Sequence, residues 1–389
     1  MKRSILIVHN RYLQRGGEDN VVEQEIHTLS KHGYFVKSLF LDNKHFKRSL
    51  SAVVTTPLRL FFNFSSFLAV YRRVRKYKID IVHVHNFYYN ASPSIFWAAK
   101  LAGAKTVYTL HNYRLFCLNG LFFYNGTTCT DCLDKMSFRD GIQRKCFKGS
   151  ALYSRALAAS QMLHRNMGTW NRKVDRFITI NRLMYDSLLL LGIPEEKIRL
   201  KANYIPDLSH HPISPIQKRQ DFYLFAGRIS EEKGIQHLIQ AFKHSKRSLR
   251  LVGNGPLSDW VLTQTDDHIS YYPAVERTEL MSWFSQCKAF LFPSIWQEGQ
   301  PMTIIEAQST GAIIIAGRSA TTEQMIQEGK TGHFYEPGNA ESLNRVLDSF
   351  ERSTAEQLLH MSMAASDHFQ KNHTEAKHLE AIEEIYHAL

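Results

Sequence analysis

Apolar residues recur along this chain in short, nearly unbroken runs. "SILIVHN" (4–10), "YFVKSLF" (34–40), "DIVHVHN" (80–86) and "KTVYTLHN" (105–112) are of this kind, and such runs suit strands buried on both faces. Between the first two lies "RGGEDN", then a helical pattern from about Val21 to His32. Strand and helix in alternation predict a parallel sheet covered by helices. A second series repeats the pattern in "FYLFAGR" (222–228), "LRLVGNG" (249–255), "ISYYPAV" (269–275), "KAFLFPS" (288–294) and "AIIIAG" (312–317). Polar, proline-containing "DLSHHPISPIQKRQD" (207–221) separates the two series and reads as a linker. The expected fold class is α/β, with two Rossmann-like domains facing across a cleft and a ligand at the carboxyl ends of their strands. The expected boundaries are 1–206, with a cysteine-rich insertion at about 115–150, then the linker, 222–366, and a terminal helix over 367–389.

Composition narrows the chemistry only slightly. At 389 residues the chain is long enough for two or three domains. Lys and Arg number 48 against 36 Asp and Glu, a net charge of +12, which attracts nucleic acid, anionic lipid or phosphorylated ligands alike. The start "MKRSILIVHNRY" is basic, but its apolar run ends at His9 and Asn10, so it reads as a core strand and not a signal peptide. The nearest approach to a membrane span, "PLRLFFNFSSFLAVYRR" (57–73), is broken by Arg59 and Asn63. A cytoplasmic protein is expected.

Candidate chemistry concentrates in "SIWQEGQPMTIIEAQSTG" (294–311). A strand ends, a loop carries Glu298 and Gly299, and Pro301 suits the first position of a helix. Amides near Met302 and Thr303 would then point into a crevice where the helix dipole favours an anion. Glu298 and Glu306, eight positions apart, can accept hydrogen bonds from hydroxyls on either side of a bound diphosphate. "AGRISEEKG" puts Arg228 and Lys233 directly after a strand, where they would neutralise that diphosphate. Gly16 and Gly17 sit between the first strand and its helix, where backbone can approach a phosphate or sugar. "VGNGPLS" departs from G-x-G-x-x-G, since Ser258 replaces the third glycine and Pro256 intrudes, so a dinucleotide oxidoreductase is poorly supported. His83 and His85 read as strand-end packing and hydrogen-bonding residues rather than ligands.

The ordered set of a Gly-Gly loop, "VYTLHNY", "AGRISEEKG", "VGNGP", "EGQPMTIIEAQSTG" and "EGKTGHFYEPGN" resembles the retaining glycosyltransferase family four, of GT-B fold. The resemblance covers essentially the whole chain. It implies that Glu306 holds the ribose of a nucleotide-sugar and that Arg228 and Lys233 hold its diphosphate. Glu298, Gly299, Gln300, Pro301, Met302 and Thr303 would hold the sugar and distal phosphate, with Gly16, Gly17 and Gly253 also on the donor side. His111 would stand near the transferred sugar, so the catalytic set is His111, Arg228, Lys233 and Glu298. The terminal helix would cross back to the first domain in a purely structural role. Two departures are visible: "YYPAV" lacks a usual glycine, and Gln300-Pro301 replaces a common Phe-Gly. No Asp-x-Asp occurs, so a catalytic metal is not implied and no cofactor is required for catalysis.

Cys117, Cys129, Cys132 and Cys146 form C-x11-C-x2-C-x13-C, a spacing compatible with structural zinc, reduced thiols, or a disulfide or redox switch. "PLRLFFNFSSFLAVYRRVRKYK" (57–78) combines Phe61, Phe62, Phe64 and Phe67 with Arg72, Arg73, Arg75, Lys76 and Lys78. It reads either as an inward-packed helix or as a peripheral face on the inner membrane, bringing the enzyme to a lipid-linked or surface-polysaccharide glycan acceptor. A nucleic-acid partner is not expected, because no RRM, KH, zinc-finger or HTH signature is present. Competing readings are a nucleotide-sugar epimerase or hydrolase on the same fold, and a non-enzymatic anionic-surface or nucleic-acid binder.

Overall fold

A computed structural model describes residues 2–11, 16–42, 58–206, 213–243 and 245–389. The chain divides into two compact units, one of residues 1–122, 130–206 and 375–389, the other of 123–129 and 207–374. Of the expected linker, residues 207–212 lie outside the described residues, and Ile216–Lys218 forms a single 3-10 turn.

The first unit holds a six-stranded parallel sheet. Strand β1 (Ser4–Arg11) leads into α1 (Gly17–Lys31) and β2 (Phe35–Asp42); α2 (Phe64–Tyr77) precedes β3 (Ile81–Asn86) and β4 (Lys105–Leu110). A small antiparallel pair, β5 (Phe123–Tyr124) with β6 (Thr127–Thr128), groups with the second unit. Strands β7 (Arg176–Thr179) and β8 (Ile198–Leu200) complete the first sheet in the order β2-β1-β3-β4-β7-β8. Its order reverses between β1 and β3. Ile5, Leu6, Ile7 and Val8 of β1 are fully buried, as unbroken apolar runs require of a sheet covered on both faces.

Helix α1 starts four residues before the apolar periodicity does. Asp19 explains the earlier start: one carboxylate oxygen accepts the Gly16 amide at 2.9 Å, satisfying a helix-end donor. Helix α2 is capped by Asn63, whose Oδ1 accepts the Ser65 and Ser66 amides at 3.1 and 3.3 Å.

The second unit carries β9 (Tyr223–Ala226), β10 (Leu249–Val252), β11 (Ile269–Tyr272), α3 (Arg277–Gln286), β12 (Phe290–Phe292), α4 (Met302–Ser309), β13 (Ile314–Gly317) and β14 (Gly332–Tyr335). The sheet is parallel in the order β11-β10-β9-β12-β13-β14, which is the doubly wound order with its reversal between β9 and β12. The last helix, α5 (Glu375–His387), belongs to the first unit, where Ile382, Ile385 and Tyr386 join a core with Ile5, Ile7, Val107 and Ile178.

Candidate functional site

In the second unit the predicted residues gather at the reversal point of the sheet. The segment after β9 carries Arg228 and ends in a 3-10 turn at Glu231–Lys233; the segment after β12 carries Glu298 and leads into α4. Gly234 closes the turn with φ +69, and a Cβ there would lie 2.0 Å from the Pro293 carbonyl oxygen. Only glycine lets the two loops meet so closely, and that meeting brings Lys233 onto Glu298.

Glu298 is buried, and its Oε1 accepts from Lys233 Nζ, from Ser294 Oγ at 2.8 Å and from Trp296 Nε1 at 2.9 Å. Its backbone oxygen accepts from Thr321 Oγ1 at 2.8 Å. Three donors on one carboxylate oxygen fix the loop, and the negative charge of that carboxylate holds Lys233 in place. Arg228 is exposed at the end of the same sheet. Pro301 caps α4 in extended conformation (φ −68, ψ 119), so Met302 rather than Pro301 is the first helical residue. The proline ring holds φ near the helical value, but its ψ keeps it outside the turn.

Glu306, the fifth residue of α4, has Arg277 Nη2 of α3 at 3.5 Å. Burial raises its carboxyl above the usual range, and Arg277 offsets part of that rise. Gly253 is explained by backbone alone: at φ +134, its Cβ would stand 1.8 Å from the Gly227 carbonyl oxygen. The "VGNGP" glycine therefore lets two loops cross above the sheet.

In the first unit the Gly-Gly loop is partly outside the described residues, which resume at Gly16. The Gly16 amide is occupied by Asp19, while a Cβ at Gly16 would meet open space. Asp19 Oδ1 also lies 2.8 Å from Nε2 of buried His9. Gly17 is the first residue of α1.

His111 stands one residue beyond β4 and is half-buried. Its Nε2 is 3.0 Å from Nδ1 of His85, and the rings stack with centroids 5.3 Å apart. Burial, joined by the fields of His85 and His9, depresses the His111 pKa well below the ordinary value. The ring is neutral at pH 7, and it can accept or donate a hydrogen bond to a ligand hydroxyl.

Behind His111 lies a buried polar cluster that sequence patterns missed. Glu25 of α1 has Oε1 3.0 Å from His83 Nδ1 and 3.3 Å from His85 Nε2; its Oε2 is 3.7 Å from Lys201 Nζ and from His378 Nε2. Lys201 Nζ donates to His378 Nδ1 at 3.0 Å, and Tyr386 OH is 2.8 Å from His83 Nδ1. Two of these residues, His378 and Tyr386, come from α5, so that helix carries more than packing. The signal available in sequence was the period: His83 and His85, two apart on one strand, share a face.

The cysteine segment also has local order. Cys117 is buried and its Sγ is 3.0 Å from Asn119 Oδ1. A Cβ at Gly141 would meet Cys132 Sγ at 3.1 Å, and the Cys146 amide donates to the Gly141 oxygen at 2.9 Å. Cys132 and Cys146 thus both border Gly141.

Residues 208–368 match the family model described as glycosyl transferases group 1, and residues 15–206 match that described as Glycosyltransferase Family 4. A 41.2 kDa protein in the cps region of Klebsiella pneumoniae is 24% identical over 301 residues, spanning 75% of this chain and 74% of that one. A D-inositol 3-phosphate glycosyltransferase of Arthrobacter sp. (strain FB24) is 27% identical over 196 residues, 41% of this chain and 46% of that one. Among solved structures, Anabaena Alr3699/HepE in complex with UDP matches with a TM-score of 0.68 at 15% identity over 99% of this chain and 100% of that one, which shows a shared fold. With two Rossmann-like parallel sheets and consecutive family matches from residue 15 to residue 368, the chain belongs to the family 4 glycosyltransferases of GT-B fold, its second half being the group 1 domain.

Proposed function

We propose that this chain moves a hexosyl group from a nucleoside-diphosphate-sugar to a hydroxyl of a lipid-linked or surface-polysaccharide glycan, retaining the anomeric configuration. The observation that carries the reading is the convergence of Lys233 and Glu298 at the reversal point of the second sheet, beside the start of α4. In this reading Arg228 and Lys233 neutralise the diphosphate, and amides of Met302 and Thr303 donate to it. Glu306 accepts the ribose hydroxyls. Glu298, Gly299, Gln300 and Pro301 border the sugar, and His111 serves a sugar hydroxyl as a neutral hydrogen-bonding group. The departing phosphate oxygen takes the proton of the acceptor hydroxyl attacking from the same face, while the protein supplies position and charge.

Binding of UDP-, GDP-, dTDP- and ADP-glucose, read by thermal shift, tests the donor, with Glu306→Ala as control. UDP is the first nucleotide to try, since the Anabaena neighbour is complexed with it. A shift for one nucleotide that disappears in the variant supports the reading; no shift for any of the four counts against it. Proton NMR of the product tests retention, and inversion at the anomeric carbon overturns it.

Acceptor access through an anionic lipid surface is supported by the first unit. A cavity of about 670 Å³ is lined by Phe61, Phe62, Phe67, Leu163 and Met167, with Lys100 and Lys173 among its lining residues. Phe62 and Phe64 are largely exposed, as are Arg72, Arg75 and Lys76. No helix among the described residues is long and apolar enough to cross a membrane. Flotation with phosphatidylglycerol vesicles, lost with Phe62→Ser/Phe64→Ser and absent with phosphatidylcholine, is the expected result. Structural zinc at Cys117, Cys129, Cys132 and Cys146 is part of the same proposal, resting on the C-x2-C spacing with two further cysteines. Protein purified without chelator and found free of zinc would remove it.

A further inference from the structure

We propose that Glu25 is a positioning residue that sets the tautomer of His111 through His85. The role rests on the reading that His111 serves the transferred sugar, but the arrangement that carries it belongs to the first unit alone. Helix α1 brings Glu25 against the face of β3 from which His83 and His85 project, their ring centroids 4.3 Å apart. The line then runs from Glu25 Oε1 to His85 Nε2 at 3.3 Å, and from His85 Nδ1 to His111 Nε2 at 3.0 Å.

Each end of this line constrains the next. Glu25 accepts only, and it stays ionised: burial would raise its carboxyl, but His83, His85 and Lys201 packed around it outweigh burial and hold it well below the usual range. Burial, with His83 beside it, pushes His85 down to about 4, so His85 is neutral at pH 7 and carries one N–H and one lone pair. Glu25 Oε1 is shared with His83 Nδ1 at 3.0 Å, and neither Oε1 nor His85 Nε2 makes a hydrogen bond of good geometry, so each faces the other as a close polar contact. A lone pair on His85 Nε2 would face a buried carboxylate oxygen; a proton there is attracted to it. With the proton on Nε2, His85 Nδ1 is an acceptor. His111 must then donate from Nε2 across the 3.0 Å contact, which leaves the lone pair of His111 on Nδ1. A neutral histidine with a fixed acceptor nitrogen can orient a sugar hydroxyl without waiting for a proton to rearrange.

The surroundings support a hydrogen-bond hub over a cation cage. Glu25, His83 and His85 do present donor atoms within 4.8 Å of one another. Lys201 lies 3.7 Å from the same carboxylate and already offsets its charge, so a divalent ion would meet a resident cation. The other titratable groups facing the cluster are His378 and Tyr386 from α5, Tyr204 stacked on His378 at 3.8 Å, and His9 with Glu18 and Asp19. Tyr386 and Thr109, at 2.8 and 2.7 Å from the two nitrogens of His83, fix that ring in place beside His85.

The test is long-range 1H–15N correlation NMR on the full chain labelled at histidine nitrogens, with His111→Gln used to assign the His111 signals. The expected wild-type pattern is a neutral His111 protonated at Nε2. Glu25→Gln, whose amide can donate to His85 Nε2, should convert His111 to the Nδ1-protonated or a mixed form, and Glu25→Asp should restore the original pattern. His111 protonated at Nδ1 in the wild type, or unchanged in Glu25→Gln, overturns the proposal. Should Glu25→Gln fail to fold, His85→Phe cuts the same line while leaving the carboxylate: mixed His111 tautomers support the proposal and an unchanged pattern refutes it. Because no sugar donor enters this measurement, its failure is distinct from failure of the transferase reading. With an active donor in hand, Glu25→Gln should lower kcat by roughly tenfold or more at unchanged donor KM, as expected for a displaced tautomer.

Discussion

The two sheets present charge at their carboxyl ends in opposite ways. In the first, Glu25, His83, His85, Lys201 and His378 are all buried, and burial drives the pKa values of His85, Lys201 and His378 downward. In the second, Arg228 is exposed and the Lys233 side chain keeps 19% of its surface, although Glu298 beside it is buried. The contrast follows chemistry. On the proposed reading, a group that orients a hydroxyl works as a fixed neutral ring, which desolvation provides, and a group that meets a phosphate stays charged and reachable, which solvent provides.

The strongest way to break this contrast is Glu25→Ala. Removing one partner of a buried charged set strands Lys201, and a loss of about 3–5 kcal/mol is expected in urea unfolding. A loss below about 1 kcal/mol would mean that the cluster is wetter and weaker than its burial suggests. Lys233→Ala should affect the second sheet instead, weakening donor binding by about 1.5–3 kcal/mol in calorimetric titration, with Glu306→Ala similar. Unchanged donor affinity in both would move the phosphate site elsewhere.

Acidification separates the sheets by sign. The folded pKa of His85 is depressed from 6.5 to about 4, and those of His111 and His378 are depressed too. A depressed group contributes stability that is present above its unfolded pKa and lost as pH falls through its folded one. The melting temperature should therefore fall between pH 6.5 and 4, and Glu25, depressed below its ordinary 4.5, adds to the fall at the acid end. His85→Phe should flatten the upper part of that profile. Glu306 has the opposite sign: its raised carboxyl contributes stability below about 4.5 that is lost as pH rises, while its ability to accept ribose hydroxyls grows over the same rise. The smallest effect is expected for Arg277→Ala, which removes a half-exposed contact at 3.5 Å and should change donor affinity by under about 1 kcal/mol, more at pH 5 than at pH 8. A larger loss would make Arg277 a direct donor contact.

Much of the second sheet and its site was legible before any coordinates. The apolar runs at 222–228, 249–255, 269–275, 288–294 and 312–317 contain β9 to β13, and the loops after β9 and β12 carry Lys233 and Glu298. Strands β7, β8 and β14 span three or four residues, as β9 to β13 do, but RFIT, IRL and GHFY carry only two apolar residues each, so no apolar run marks them in the sequence. The Gly-Gly loop illustrates a different limit: glycine suggested an open amide, yet Asp19 three residues later occupies the Gly16 N–H.

Sequence alone determined the class of the fold, because periodicity and turn residues act over a few positions, and it determined the local signature of the second site, because that site is assembled from two short loops. Tertiary structure alone decided the strand orders, the onset of α1 and the identity of the buried hub. Glu25, Lys201 and His378 are separated by up to 353 positions, and each by itself reads as a solvated charge or a surface histidine. Their meaning depends on desolvation and on partners within 4 Å, quantities that packing creates and that local sequence does not encode.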